Sequence, residues 1–340
     1  MSKFSLDALN RCVYPHFRCA DDDVLLGAVF GEDVALTRVG GDILASHVDP
    51  IVGAVEDIGW LAVHVACNDI ATCGATVRWI LLLVLVPSKN DEVLLEKIMC
   101  DVARAADELG VTIIGGHTGY SANLSRPLVA VTALGTLTDR QPILTKGARV
   151  GDHVLISKGI ALEGTAIMAS DFAKTARQLG LSRGDINEAK QLMDAVSVIP
   201  EAEILAQCGA TSMHDVTRGG LLETLQETAN LSEVGIQVHF DRIPIPAVVE
   251  RFAEAFVFDP LKMISSGTLV VTIPPEHLEG AMVKLEAQGI LCADIGEVIP
   301  GQGVKVVMQD QVLQYQEIHP EDDELARLWT QYEPDTASNN

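Results

Sequence analysis

Apolar residues along this chain recur with two periods. Alternation and short unbroken apolar runs predict strands at 27–39 (GAVFGEDVALTRV), 43–47, 79–86, 111–114 and 128–137. Further on, they predict strands at 154–157, 235–240, 267–273, near Ile295 and at 304–308. The 3.6-residue period predicts a helix after Asp57, read as its N-cap, with Ile58, Leu61, Ala62 and Val65 on one buried stripe. A second helix begins after Asp91, buries Leu94, Leu95, Ile98, Met99, Val102, Ala106 and Leu109, and closes on Gly110. Later helices are predicted over 163–179, within 183–197, from Pro200 to Gly209, from the Arg218-Gly219-Gly220 turn, and over 247–256 and 276–288. Leu325, Leu328 and Trp329 predict a short docked helix near the end of the sequence.

Several polar residues stand where this patterning wants apolar ones. Asp69 falls on the same helical stripe as Leu61 and Val65, with Asn68 beside it. A carboxylate buried there must be paired, hydrogen-bonded or metal-bound, since burying it alone costs several kcal/mol. Either a site or a polar network that fixes helix packing meets that requirement. Asp49 ends the strand before this helix, and Pro50 and Gly53 mark a turn. Glu32 and Asp33 interrupt an apolar strand, which strands disfavour unless a bulge or exposed hairpin lies there. The strand at 111–114 runs into Gly115-Gly116-His117-Thr118, where glycines permit close backbone approach and the next two residues offer a donor or metal ligand and a hydroxyl. Asp215 ends a short strand just before the glycine-led helix, a placement that suits either a metal–phosphate pair or an ordinary helix cap.

Length and composition narrow the choice. A chain of 340 residues with 48% hydrophobic content predicts two well-filled domains. The stretch 138–151, with Asp139-Arg140, Pro142 and Gly151-Asp152, is the candidate boundary. A formal net charge of −23 argues against nucleic acid or an anionic membrane as partner. Nucleotides remain possible ligands, because metal ions and backbone amides supply a local positive field. The seven cysteines are scattered without a C-x-x-C pair, which predicts buried thiols in a reducing compartment. The start, MSKFSLDALNRC, lacks the apolar core of a signal peptide, and the run 79–86 is too short to cross a bilayer. A cytoplasmic protein is expected.

Seven motifs in order carry a resemblance. GEDVA (31–35), the Asp49 strand end, EDIG (56–59), NDIATCGA (68–75), GGHT (115–118), SKG…EGTAIMA (157–169) and HDVTRGGL (214–221) together resemble the aminoimidazole ribonucleotide (AIR) synthase superfamily. That superfamily also holds the hydrogenase maturation factor HypE, selenophosphate synthetase and thiamine-monophosphate kinase. EDIG, EGTAIM and HDVTRGGL are most similar to HypE. The resemblance implies a PurM-like α+β subunit: an N-terminal domain at 1–148 whose mixed sheet forms a homodimer interface, a C-terminal α/β domain at 149–318, and an acidic tail at 319–340. It implies ATP in a cleft between the domains, with Mg²⁺ held by Asp33, Asp49, Asp69 and Asp215. Asp69 and Asp49 are the implied catalytic acids. Nucleotide contacts are implied at Asn68, Gly115, Gly116, His117, Thr118, Gly219 and Gly220, and Lys158 and Arg218 are candidate phosphate contacts.

Departures from the family set the limits. HypE works through a C-terminal cysteine, whereas this sequence ends DTASNN and its last cysteine is Cys292. Cys12 and Cys19 lack the glycines and lysine of selenophosphate synthetase, Pro50-Ile51-Val52-Gly53 replaces the AIR synthase pattern, and His117 stands where thiamine-monophosphate kinases have Asp. The expected activity is Mg²⁺-dependent phosphoryl transfer from ATP to an oxygen of an unidentified acceptor, with a protein partner in a maturation pathway possible. A small-metabolite kinase and a non-catalytic nucleotide-binding partner are the alternatives.

Overall fold

The computed structural model describes residues 4, 6–17, 21–52, 57–138, 140–309, 311–316 and 323–335. Gly53 of the expected turn, Glu56 of EDIG, Cys19, Asp139 and tail segments 319–322 and 336–340 lie outside them. Two compact units are present, one spanning 14–142 and the other 143–340 together with 2–13. Helix α1 (Leu6–Cys12) groups with the second unit and buries none of its residues.

The first unit is built on a six-stranded sheet. Its strands are β1 (Val24–Leu26), β2 (Ala35–Val39), β3 (Asp42–Ile51), β4 (Thr76–Val86), β5 (Thr112–Tyr120) and β6 (Leu128–Leu137), in the order β1-β2-β3-β6-β4-β5. Neighbours are antiparallel except β4 and β5, which run parallel. A parallel pair needs a crossover, and helix α3 (Glu92–Leu109) supplies it. Helix α2 (Ile58–Thr72) links β3 to β4 and is sandwiched between the sheet and α3. All its residues are therefore buried, rather than the single stripe expected, and Asn68 and Asp69 are buried with the rest.

Three local expectations change. Asp57 stands at the N-cap position of α2, as read, but its side chain makes no cap bond: the residue adopts a left-handed conformation, and its carboxylate pairs with Arg104 at 3.0 Å. The Asp91 side chain makes no cap bond to α3 and instead accepts from Ser88 N at 2.9 Å. Strand β3 does not end at Asp49 but pairs with β6 through Ile51. Gly110 closes α3 in a left-handed conformation, as the pattern predicted.

The second unit holds a seven-stranded sheet. In chain order come β7 (His153–Ser157), α4 (Leu162–Asp171), α5 (Ala173–Gln178), α6 (Arg183–Gln191), α7 (Ile199–Gln207), β8 (Ser212–Val216), α8 (Gly220–Leu231), β9 (Gly235–His239) and α9 (Ala247–Phe256). Then follow β10 (Ser265–Ile273), α10 (Pro275–Ala287), β11 (Cys292–Ile299), β12 (Gly303–Met308), β13 (Gln311–Tyr315) and α11 (Glu324–Gln331). The strand order is β13-β12-β9-β11-β7-β10-β8, antiparallel except for β9 with β12. One core joins Leu221, Leu222 and Leu225 of α8 to Ile156, Ile236 and Val304 of the sheet. A second lies among helices, around Phe172, Phe252, Phe256 and Leu328.

The helix expected over 163–179 is two, broken at Phe172. Its buried ring meets Trp329 edge-on at 5.3 Å, so the bend turns a large apolar side chain into the helical core. Burying such a side chain contributes about 1.5–3 kcal/mol. The same contact docks α11, whose Leu328 is fully buried. Each unit thus joins a mixed sheet to helices in an α+β architecture.

Candidate functional site

In the first unit the acids gather around one histidine. Strand alternation places His47 and Asp49 on the face of β3 that also carries buried Ala45. His47 Nε2 lies 2.8 Å from Asp69 Oδ2 of α2, and its Nδ1 donates to the backbone carbonyl of Asp33 in the β1–β2 loop. A carbonyl can only accept, so Nδ1 carries a proton while Nε2 faces a carboxylate. Burial disfavours the imidazolium, but the Asp69 charge and hydrogen bond, with Asp33, outweigh it and raise the His47 pKa to about 10. Asp33 and Asp69, far apart in sequence, are thereby tied together through His47, with Asp49 on the same strand face. Thr72 Oγ1 donates to the Asp69 carbonyl at 2.7 Å. Nearby Cys67 and Cys73 have thiols pushed up to about 12, chiefly by burial, and do not supply a nucleophile.

The GGHT stretch does not join that group within the chain. It lies inside β5, not in a loop after it, and β5 is the sheet's exposed edge. Strands sit ~4.8 Å apart, so His117 on β5 is roughly 14 Å from β3, three strands away. Gly116 serves the strand itself: a Cβ there would lie 2.0 Å from the Leu82 carbonyl oxygen of β4. Gly115 and Thr118 occupy the same exposed edge.

In the second unit the acids gather at the end of β8. Asp215 is fully buried, and neither carboxylate oxygen has a hydrogen-bond partner among the described residues. The neighbouring His214 donates Nδ1 to the Asp215 carbonyl at 2.7 Å and stands 3.8 Å from Asp215 Oδ1. Its Nε2 lies 3.3 Å from Glu227 Oε2 on α8. Arg218 follows in the turn, and Gly219 and Gly220 complete it in left-handed conformations. A Cβ on Gly220 would strike the Leu261 carbonyl oxygen at 2.5 Å, so the glycine lets this turn press against 261–263. Glu163, in the first turn of α4, accepts from Ser266 Oγ at 2.5 Å. Its pKa is raised to about 7, chiefly by burial, with Asp215 adding to the shift and Ser266 and Arg218 opposing it.

Two family matches span most of the chain. Residues 31–137 match the AIR synthase related protein N-terminal domain, and residues 149–309 match the C-terminal domain. The carbamoyl dehydratase HypE of Rhizobium leguminosarum bv. viciae is 30% identical over 267 residues, covering 77% of this chain and 73% of that protein. The chain belongs to the AIR synthase-related family. Among solved structures, a chain of a HypE–HypF complex superposes with a TM-score of 0.70 at 25% identity, covering 84% of this chain and 93% of that one. A HypE structure in complex with ATP gives a TM-score of 0.71 at 23% identity, covering 95% and 96%. The fold is the two-domain PurM-like α+β fold.

Within this AIR synthase-related chain, Lys158 was expected to contact phosphate but turns inward. Its ammonium donates to the carbonyls of Ala195, Ser197 and Gly267 at 3.1, 2.5 and 3.2 Å and pairs with buried Glu201 at 2.6 Å. An ammonium has only three protons, so these partners use its donor capacity. Sequence reasoning missed His47, Glu163, His214 and Glu227 as site residues. Glu163 had a signal, being a lone acid in the apolar run ALEGTAIMA. Glu227 had none, since a glutamate within ETLQETAN is ordinary for an exposed helix.

Asp215 provides the test of whether a metal fits. A buried carboxylate whose oxygens accept no hydrogen bond among the described residues, with the His214 ring 3.8 Å away, suits a cation, and carboxylate oxygens are the hard donors that Mg²⁺ takes. The donor chemistry fits.

Proposed function

We propose that this protein is a Mg²⁺-dependent, ATP-using enzyme of HypE type that activates an acceptor oxygen by phosphorylation. The observation that carries the reading is the buried carboxylate of Asp215, whose oxygens accept no hydrogen bond among the described residues, beside Glu163, Arg218 and the Gly219-Gly220 turn. Asp215 in one unit, and Asp33, Asp49 and Asp69 in the other, are the proposed metal ligands. Asn68, Arg218 and the two glycines are proposed to position the nucleotide. Lys158 is not among them, because its ammonium is used within its own unit. Mg²⁺ would offset charge on the transferring phosphoryl group, which so acidic a chain could not otherwise accommodate.

In the proposed reaction the acceptor oxygen bonds to the γ-phosphorus, the bond to the β,γ-bridging oxygen breaks, and ADP leaves. With an amide acceptor, loss of the phosphorylated oxygen as phosphate completes a dehydration, the reaction type in the name of the Rhizobium relative. The HypE–HypF complex supports a protein partner for this chain as well. The exposed edge strand β5 supports homodimerisation through the first unit's sheet.

ADP release measured with and without Mg²⁺ tests the reading. We expect Mg²⁺-dependent turnover that falls on the order of 10²-fold in Asp215→Asn and in Asp69→Asn. If wild type and both variants bind ATP equally and none releases ADP, the protein is a nucleotide-binding partner and not an enzyme. A screen of hydroxyl, carboxyl and amide acceptors separates the dehydratase from a small-metabolite kinase.

A further inference from the structure

Positive charge is scarce in this molecule, with 24 Lys and Arg against 47 Asp and Glu. Several arginines accordingly pair with acids: Arg38 with Asp23, Arg104 with Asp57, Arg251 with Asp185 and Glu188, and Arg327 with Glu324. Arg177 and Arg183 do not. Arg177 donates only to the Leu181 carbonyl, at 3.0 Å, and Arg183 has no hydrogen bond or ion pair among the described residues. Both line one cavity of about 320 Å³, together with Lys174, Asn187, Ala173 and Ile186.

Helix α6 sorts its side chains to produce this. Asp185 and Glu188 lie on one face and are taken by Arg251 of α9, at 2.8 and 2.6 Å. Arg183 and Asn187, four residues apart and so neighbours on another face, line the cavity. Asp185 is also held by the Ser182 cap, with Ser182 N donating to it at 2.8 Å. The acids of α6 are therefore committed away from the cavity. At the rim, Asp335 Oδ2 accepts from the backbone N of Lys174 at 2.8 Å.

Two guanidinium groups brought to one concavity beside Lys174 repel one another, and a concave wall focuses their field. Guanidinium groups are planar forks suited to bidentate binding of phosphate oxygens. Asn187 adds an amide donor, while Ala173 and Ile186 give a small apolar surface for a carbon skeleton. The volume lies at the lower end of small-molecule sites, ~300–1,000 Å³. We propose that the cavity between α5 and α6 is an anion site, separate from the acidic site, that binds a phosphate group, either free or carried by a small metabolite.

Titration calorimetry on the full chain at low ionic strength tests this, with inorganic phosphate and glycerol 3-phosphate as probes. The Asp215→Asn background separates this site from the proposed nucleotide site. We expect saturable binding that is unchanged by Asp215→Asn and at least tenfold weaker in Arg183→Gln. That substitution removes no internal bond, so circular dichroism should match wild type. Arg177→Gln, which also gives up the Leu181 contact, should weaken binding similarly. Tighter binding of glycerol 3-phosphate identifies a phosphorylated metabolite as the ligand class, whereas equal affinities identify phosphate itself. Absence of saturable binding to either probe, or an unchanged affinity in Arg183→Gln, overturns the proposal.

Discussion

His47, half-buried, and Glu163, buried, are two titratable groups whose shifts act on stability in the same direction but for different reasons. For His47, the partners Asp69 and Asp33 overcome burial and raise the pKa from 6.5 to about 10. The folded state thus holds its proton more tightly than the unfolded chain, and the resulting stability is fully present below about pH 6.5 and lost as pH rises through about 10. Urea unfolding followed from pH 6 to 10 should show that decline. His47→Gln should flatten it while destabilising the protein by roughly 1–3 kcal/mol near neutrality, because Asp69 loses a charged donor. A wild-type profile flat across this range would show that the pair is not an imidazolium–carboxylate pair. For Glu163, burial raises the pKa from 4.5 to about 7, so its contribution is fully present below 4.5 and lost as pH rises through about 7. Glu163→Gln is already neutral and should therefore compare more favourably with wild type at pH 8.5 than at pH 5. Thermal melts of both proteins at the two pH values check this.

Elements were legible wherever burial was one-sided. Helix α9 and strands β6 and β12 present one apolar face, and their period reveals it. Helix α2 is covered on both sides, so its true burial could not be read from a stripe, although Asp69 stood out on any reading. Strand β13 was missed because QVLQY is exposed and only weakly alternating. The acids Asp33, Asp69 and Asp215 were visible as residues out of place, whereas the inward turn of Lys158 was not, because three of its partners are backbone carbonyls, which carry no sequence signature, and the fourth, Glu201, is distant in sequence. His214 and Glu227 meet only through the packing of α8 on β8. Strand β5 is the most instructive difference: Gly115-Gly116 was expected in a loop after a strand but lies inside β5, where Gly116 makes a close approach to β4. Gly116→Ala would place a methyl group 2.0 Å from the Leu82 carbonyl oxygen, so β4 and β5 must separate locally. We expect destabilisation of about 3 kcal/mol or more, at the upper end of overpacking effects. Gly41→Ala, where a Cβ meets nothing within 4 Å, should leave the melting temperature nearly unchanged. Equal melting temperatures for the two variants would remove the structural reading of this glycine.

At the level of the whole molecule, charge decides which surfaces can associate. A formal net charge of −23 makes two copies repel, so self-association requires a contact free of acids and rich in apolar or backbone groups. Strand β5, TIIGGHTGY, meets both conditions: its nine residues include no Asp or Glu, and Ile113, Ile114 and Tyr120 are exposed. An exposed edge of this length also offers a row of backbone donors and acceptors to a second strand. The other sheet ends in β13, which is shorter, at five residues, and is flanked in sequence by Asp310 and Glu317. Charged flanks of this kind discourage edge pairing. Sedimentation equilibrium should accordingly show a dimer that tightens as salt rises, because screening weakens the repulsion between copies without touching the apolar contact. Ile114→Asp should weaken the dimer at least tenfold by placing two like charges in the contact, while Val312→Asp on β13 should leave it intact. A wild type that stays monomeric at tens of micromolar, or a dimer lost in Val312→Asp and kept in Ile114→Asp, would move the interface away from β5.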